Sequence, residues 1–146
     1  LATHAKKQKM EGSDFSYEDM GSGDTWLNEF KSVRLKDEKI EGTNCYKLEL
    51  KKLPDSHSGY SRMIMWIDKS NFLAVQIDYF DDDDPGLHLK RLVLSDVKDI
   101  EGIPTSTKMT MVNIQDNTQT TMEYLEITYG VKLPDDMFTE RGMKKQ

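Results

Sequence analysis

The residues able to do chemistry are scattered along this chain. Cys45 is the one cysteine, and the histidines at positions 4, 57 and 88 each stand without a partner at metal-ligand spacing. No Gly-x-Ser-x-Gly elbow, phosphate-cradling glycine loop or His-Glu-x-x-His pair occurs. Oxygen ligands are plentiful. Asp14, Glu18 and Asp19 could face a hard cation, but they lack the Asp-x-Asp-x-Asp-Gly spacing of a calcium loop, and Ser16 with Asp19 three residues on equally suits the start of a helical turn. Asp81 to Asp84, followed by Pro85 and Gly86, reads as a solvated hairpin turn, with calcium as the alternative. No thiolate-stabilising group lies near Cys45 in sequence, so it reads as a small buried filler rather than a nucleophile. No pair of carboxylates stands out as acid and base. These residues predict binding rather than catalysis, without a cofactor or a metal.

The elements that must position any site are strands. The chain has 146 residues, enough for one domain. Its net charge of -6 argues against a nucleic-acid surface, which needs a basic patch. No apolar run approaches the ~20 residues of a membrane-spanning helix. Residues 1 to 12 read as a polar tail, and 12 to 24 as a Gly- and Ser-rich loop in which Phe15 and Tyr17 could plug the end of a core. Lys31–Ile40 and Cys45–Leu53 form a hairpin pattern around Glu41-Gly42-Thr43-Asn44. Tyr60 to Phe80 is a second hairpin, turning at Asp68 to Asn71. Leu87–Ser95 follows, then a short Asp96 to Gly102 segment, then Thr105–Gln115. Thr118–Tyr129 returns, with Leu125, Ile127 and Tyr129 on one side, and Leu133 to Phe138 reads as a closing turn. About seven strands joined by short turns, with little helix, predict a curved antiparallel sheet that meanders in chain order.

The central hairpin is unusual in being apolar on both sides. Met63, Met65 and Ile67 alternate with Ile64 and Trp66, while the returning strand puts Leu73, Val75, Ile77 and Tyr79 on one face. The next strand sets Leu87, Leu89 and Val93 against His88, Lys90, Leu92 and Leu94. A strand greasy on both sides needs two covers: the core, and a second layer, a partner or a ligand. Methionine is abundant, and it adapts to variable apolar shapes. The doubly apolar strands therefore nominate Met63, Ile64, Met65, Trp66, Leu73, Val75, Met109 and Met111 as a lining for an apolar ligand, divided between two faces of which either could be concave.

Several segments together resemble one family. They are GSDFSYEDM (12–20), CYKLEL (45–50), MWID (65–68), the Tyr79-Phe80 turn followed by LKRL (89–92), DVKDIEGIP (96–104) and LPDDMFT (133–139). In combination they resemble the outer-membrane lipoprotein-sorting proteins of the LolA-like group, from about Gly12 to Gly142. The resemblance implies an unclosed half-barrel with helices over its concave side and a cavity for acyl chains. It implies a location in the periplasm and a lipid or lipoprotein carrier with no catalytic residues. Its partners would be acyl chains and the inner- and outer-membrane lipoprotein transport components. An envelope sensor or protein-interaction module on the same fold is the alternative. Members carry a signal peptide, an N-terminal helix and early strands ahead of the first motif, so the resemblance also implies that residues 1–146 are a single domain forming the C-terminal part of a longer half-barrel. One sheet edge would then be open to association. Burying one methylene is worth ~0.8 kcal/mol, so an acyl chain of about 16 carbons would contribute on the order of 10 kcal/mol before ordering costs.

Overall fold

The computed structural model describes residues 13–15 and 28–127. Seven strands form one antiparallel sheet in chain order: β1 (Phe30–Ile40), β2 (Thr43–Lys52), β3 (Tyr60–Asp68), β4 (Ala74–Asp81), β5 (His88–Ile100), β6 (Ile103–Asn113) and β7 (Thr118–Glu123). The ladder does not close: β1 and β7 are the two ends of the order. Among the described residues only Asn28 and Glu29 are helical, so the helices expected over the sheet are not among them.

The turns follow the residues that can bend. Glu41-Gly42 and Glu101-Gly102 both have positive φ, at 46° and 87° and at 55° and 82°. That is the two-residue geometry matching strand twist, and it needs glycine at the second position. The second of these turns corrects one expectation. Asp96 to Ile100 is not a separate link; β5 runs through it, because an exposed, charged stretch still pairs its backbone, here with Ile103 to Ser106. Pro104 is tolerated in β6 because β7 pairs only with Lys108 to Asn113. A second correction lies at the chain's far side. β7 ends at Glu123, and Leu125 is 95% exposed rather than packed in an alternating strand. Tyr17, Glu18, Asp19, His4, Tyr129 and the 133–138 segment lie outside the described residues.

Register sorts the side chains into rows. One row crosses the sheet as Leu50, Met63, Tyr79, Lys90, Asn113 and Thr118. The next runs Leu48, Met65, Ile77, Leu92, Met111 and Thr120. This face, the Met face, carries the main core, which also takes in Phe15, Phe30 and Tyr60. Cys45, Ile64 and Trp66 form a second cluster on the opposite, Trp face, with Leu35, Ile40, Val75 and Phe80 against them.

Two bulges overturn simple alternation. The β3–β4 register shifts between Trp66 and Ile67, which turns Val75 onto the Trp face, away from Ile77 and Tyr79. The β4–β5 register shifts between Tyr79 and Phe80. There His88 stacks on Phe80 on the Trp face, and Leu89 packs against the main core, the reverse of the expected pairing with Lys90 and Val93.

Candidate apolar binding face

The Met face is built by the strict alternation of β2 and β3 and by the methionines of β6. Met63 and Met111 are packed closed, with Met111 0% exposed, while Leu48, Ile67, Leu94, Met109 and Met122 are partly buried along the same face. The second group keeps part of its surface exposed, whereas Met63 and Met111 are enclosed by their neighbours. Five methionines, Met63, Met65, Met109, Met111 and Met122, make this surface adaptable in shape.

The Trp face is covered in another way. Trp66 donates its indole N–H to Glu38 Oε1 at 2.6 Å, and the Lys47 ammonium lies 5.3 Å from the Trp66 ring centre while pairing with Glu38 at 3.6 Å. The Arg62 guanidinium sits 3.8 Å above the Phe80 ring and pairs with Glu49 at 3.1 Å. Arg91 grips buried Asp78 with two bonds, 2.8 and 3.0 Å, which raises its already high pKa. The second cover over β3 is thus the chain's own long cationic side chains, lying along apolar surface with their charges outward.

The eight predicted lining residues therefore do not make one site. Met63, Met65, Met109 and Met111 share the Met face; Ile64, Trp66 and Val75 lie in the opposite cluster; Leu73 joins neither. Leu48, Leu92, Leu94 and Met122 belong with the first group and were legible only once register was known.

One corner of the Met face is polar. In the first row the apolar side chains give way to Lys90, Asn113 and Thr118, and the Ser13–Phe15 segment lies over them. Phe15, 1% exposed, fills the core. The Asp14 carboxylate accepts the hydroxyls of Thr118 at 2.6 Å and Thr120 at 3.0 Å, and its own N–H donates to Thr120 Oγ1 at 2.9 Å. Beside it opens a cavity of about 180 Å³ lined by Asp14, Tyr60, Leu89, Lys90, Asn113, Gln115 and Asp116. Lys90 is 8% exposed, with its ammonium 5.3 Å from the Tyr60 ring centre and 5.9 Å from that of Tyr79. A sequence signal for it existed: Lys90 alternates in phase with Leu92 and Leu94, on the apolar side of its strand.

The remaining candidates have structural partners. Cys45 is 0% exposed, and its thiol lies 3.4 Å from the Thr43 carbonyl; burial, reinforced by the Asp68 charge, pushes its pKa up. His57 donates its backbone N–H to Glu29 at 2.7 Å. The aspartate run is spent on its turn: Asp81 Oδ2 accepts the N–H groups of Asp83 and Asp84, each at 3.0 Å, and Asp82 pairs with Lys52. Among the described residues no three His, Cys, Asp or Glu side chains are grouped to hold a metal ion.

A family model described as "Uncharacterized protein" matches residues 1–145. No curated protein matches the chain. Solved structures do. The crystal structure of a domain assigned to outer membrane lipoprotein sorting, from Vibrio parahaemolyticus, aligns with a TM-score of 0.83 at 26% identity, over 99% of this chain and 60% of that one. A DUF1329 family protein from Desulfovibrio piger ATCC 29098 aligns with a TM-score of 0.84 at 28% identity, over 94% and 56%. A LolA superfamily protein from Nitrosomonas europaea, at 19% identity and a TM-score of 0.72 over 97% and 61%, shares the fold. The chain spans 56–61% of the length of these structures. Its open seven-stranded sheet and these likenesses agree with the motifs read in its sequence: the chain belongs to the family of that model, and its fold is the LolA-like fold of the lipoprotein-sorting structures it resembles.

Proposed function

We propose that this protein is a periplasmic lipid- or lipoprotein-binding carrier that shelters acyl chains on its Met face and passes them toward the outer membrane, with membrane-bound lipoprotein transport components as its partners. Residues 1–146 are then one domain of a longer half-barrel, acting by binding and not by catalysis. The observation that carries the reading is the continuity of the Met face. One apolar surface crosses the sheet from Leu50 on β2 to Met122 on β7, while on the opposite face the cations of Lys47 and Arg62 lie over Trp66 and Phe80. A carrier needs such asymmetry, with one surface that gains about 0.8 kcal/mol per sheltered methylene and few polar anchors to slow release.

The test uses native mass spectrometry with lipid extraction from the same preparation, and displacement of a fluorescent fatty-acid probe. Met109→Glu and Leu94→Glu place a charge on the Met face at partly buried positions; Val93→Glu, one residue along β5 from Leu94, is the control. Co-purifying lipid should be lost, and probe affinity should fall at least about tenfold, only in the first two. A bare apo mass together with no probe binding to the wild type would sink the carrier reading in favour of an envelope sensor or protein-interaction module.

A further inference from the structure

We infer that the cavity beside Lys90 receives the polar head of an amphiphile whose tail lies along the Met face, and that the head it takes is charge-balanced, carrying both an anion and a hydrogen-bond-donating cation. The inference rests on the lipid-binding reading above and names the head which that reading leaves open.

Position comes first. The cavity is not separate from the apolar face but continuous with it: Tyr60 belongs to the main core, and Leu89 packs against it. Along one sheet row the side chains pass from Leu50, Met63 and Tyr79 to Lys90, Asn113 and Thr118. An amphiphile changes character along its length in the same way. Size is the second argument. A water occupies ~30 Å³ of liquid, so about 180 Å³ holds some six waters, or a head group, and is smaller than the ~300 Å³ at which pockets for whole ligands begin. The tail must therefore lie outside the cavity, and the Met face is the apolar surface it opens onto.

Charge is the third argument. A lysine is among the residues least often buried, and its ammonium here lies to one side of two packed tyrosine rings, 5.3 and 5.9 Å from their centres. It donates to the Asp14 carbonyl at a long 3.5 Å. The same cavity carries the carboxylates of Asp14 and Asp116, so its formal charge is one cation against two anions. A bare carboxylate head would add a third negative charge. A zwitterionic head puts its anion toward Lys90 and its ammonium toward Asp116, whose carboxylate already accepts the Asn113 amide at 3.2 Å. Asp14 is held in place by Thr118 and Thr120 and supplies fixed negative potential at the rim.

Three soluble lipids with identical tails test this: dioctanoyl phosphatidylethanolamine, dioctanoyl phosphatidic acid and dioctanoylglycerol. Titrated against the full chain by calorimetry, the first should bind about tenfold more tightly than each of the others, the usual scale of one charge-assisted hydrogen bond. Lys90→Met should erase the advantage over dioctanoylglycerol while leaving dioctanoylglycerol itself bound, which shows the face is still folded. Asp116→Asn, at an exposed turn position, should narrow the gap between the zwitterionic and anionic lipids. Equal binding of the three heads, tightest binding of phosphatidic acid, or a ranking unmoved by both variants would overturn the head assignment and leave the carrier reading standing. Failure of all three lipids to bind would overturn both.

Discussion

Among the described residues outside the strands, removing the Phe15 ring should cost more than any other single truncation. Phe15 is 1% exposed and is the one member of the main core contributed by the 13–15 segment. Phe→Ala at such a site typically costs about 3–5 kcal/mol, combining the lost transfer energy with the cavity left behind. The structure places Phe15→Ala at the upper end, because the walls are strand residues fixed by ladder hydrogen bonds and cannot collapse inward. The attachment is doubled by the adjacent Asp14, whose carboxylate is committed to two threonine hydroxyls on β7. Asp14→Asn keeps the shape and an acceptor but gives up the charge, so it should cost less, about 1–2 kcal/mol. Because the two residues share one backbone segment, the double variant should cost less than the sum of the singles. A domain of this size has roughly 5–15 kcal/mol to lose, so Phe15→Ala should sharply lower the urea midpoint while leaving the slope unchanged. A loss below about 1 kcal/mol, or strict additivity with Asp14→Asn, would show that the segment does not clasp the sheet and would refute the reasoning.

Two further outcomes follow from single side chains. The Cys45 thiol has its pKa raised above the ordinary 9.0 by burial first and by the Asp68 charge second. A raised folded pKa means stability that is present below pH 9.0 and lost as pH climbs from there through the folded value, so unfolding midpoints should fall in that alkaline window in the wild type and fall less in Cys45→Ala. A thiol-reactive disulfide reagent at pH 8 should label Cys45 only as fast as the protein unfolds. Phe72 has a φ of 60° and is 72% exposed, with its ring 6.3 Å from that of Tyr46. The left-handed conformation penalises an aromatic residue and tolerates asparagine, so Phe72→Asn should raise stability by about 0.5–1 kcal/mol by denaturant titration.

The fold was legible because its turns are marked by glycine and aspartate and its alternation is clean in Tyr46 to Leu50 and Tyr60 to Ile67. Sequence could also place Phe15 as a plug. What it could not supply was register. Alternation counted from Ile77 back to Val75 assumes an unbroken ladder, and the bulge opposite Ile67 breaks it; the same failure at Phe80 exchanged the sides of His88 and Leu89. A bulge inserts one backbone unit without any compositional mark, so every face assignment beyond it inverts. The proposed lining is divided for two reasons: Ile64 and Trp66 lie opposite the methionines because β3 is apolar on both faces, and Val75 joins them because of the bulge.

The two apolar faces of β3 are covered in different ways: one packs into the main core and the other lies under charged side chains. On the Trp face the chain spends Lys47, Arg62 and Glu38 as a lid: cations lie over Trp66 and Phe80, and each is matched by a carboxylate. Such a lid closes an apolar surface to association while costing only side-chain entropy, and it needs no second layer. On the Met face Lys90 is buried, with its ammonium beside the Tyr60 and Tyr79 rings at the polar corner. Cations laid over Trp66 and Phe80 on one face, and a lysine buried at the corner of the other, are the contrast on which the proposed binding to the Met face rests.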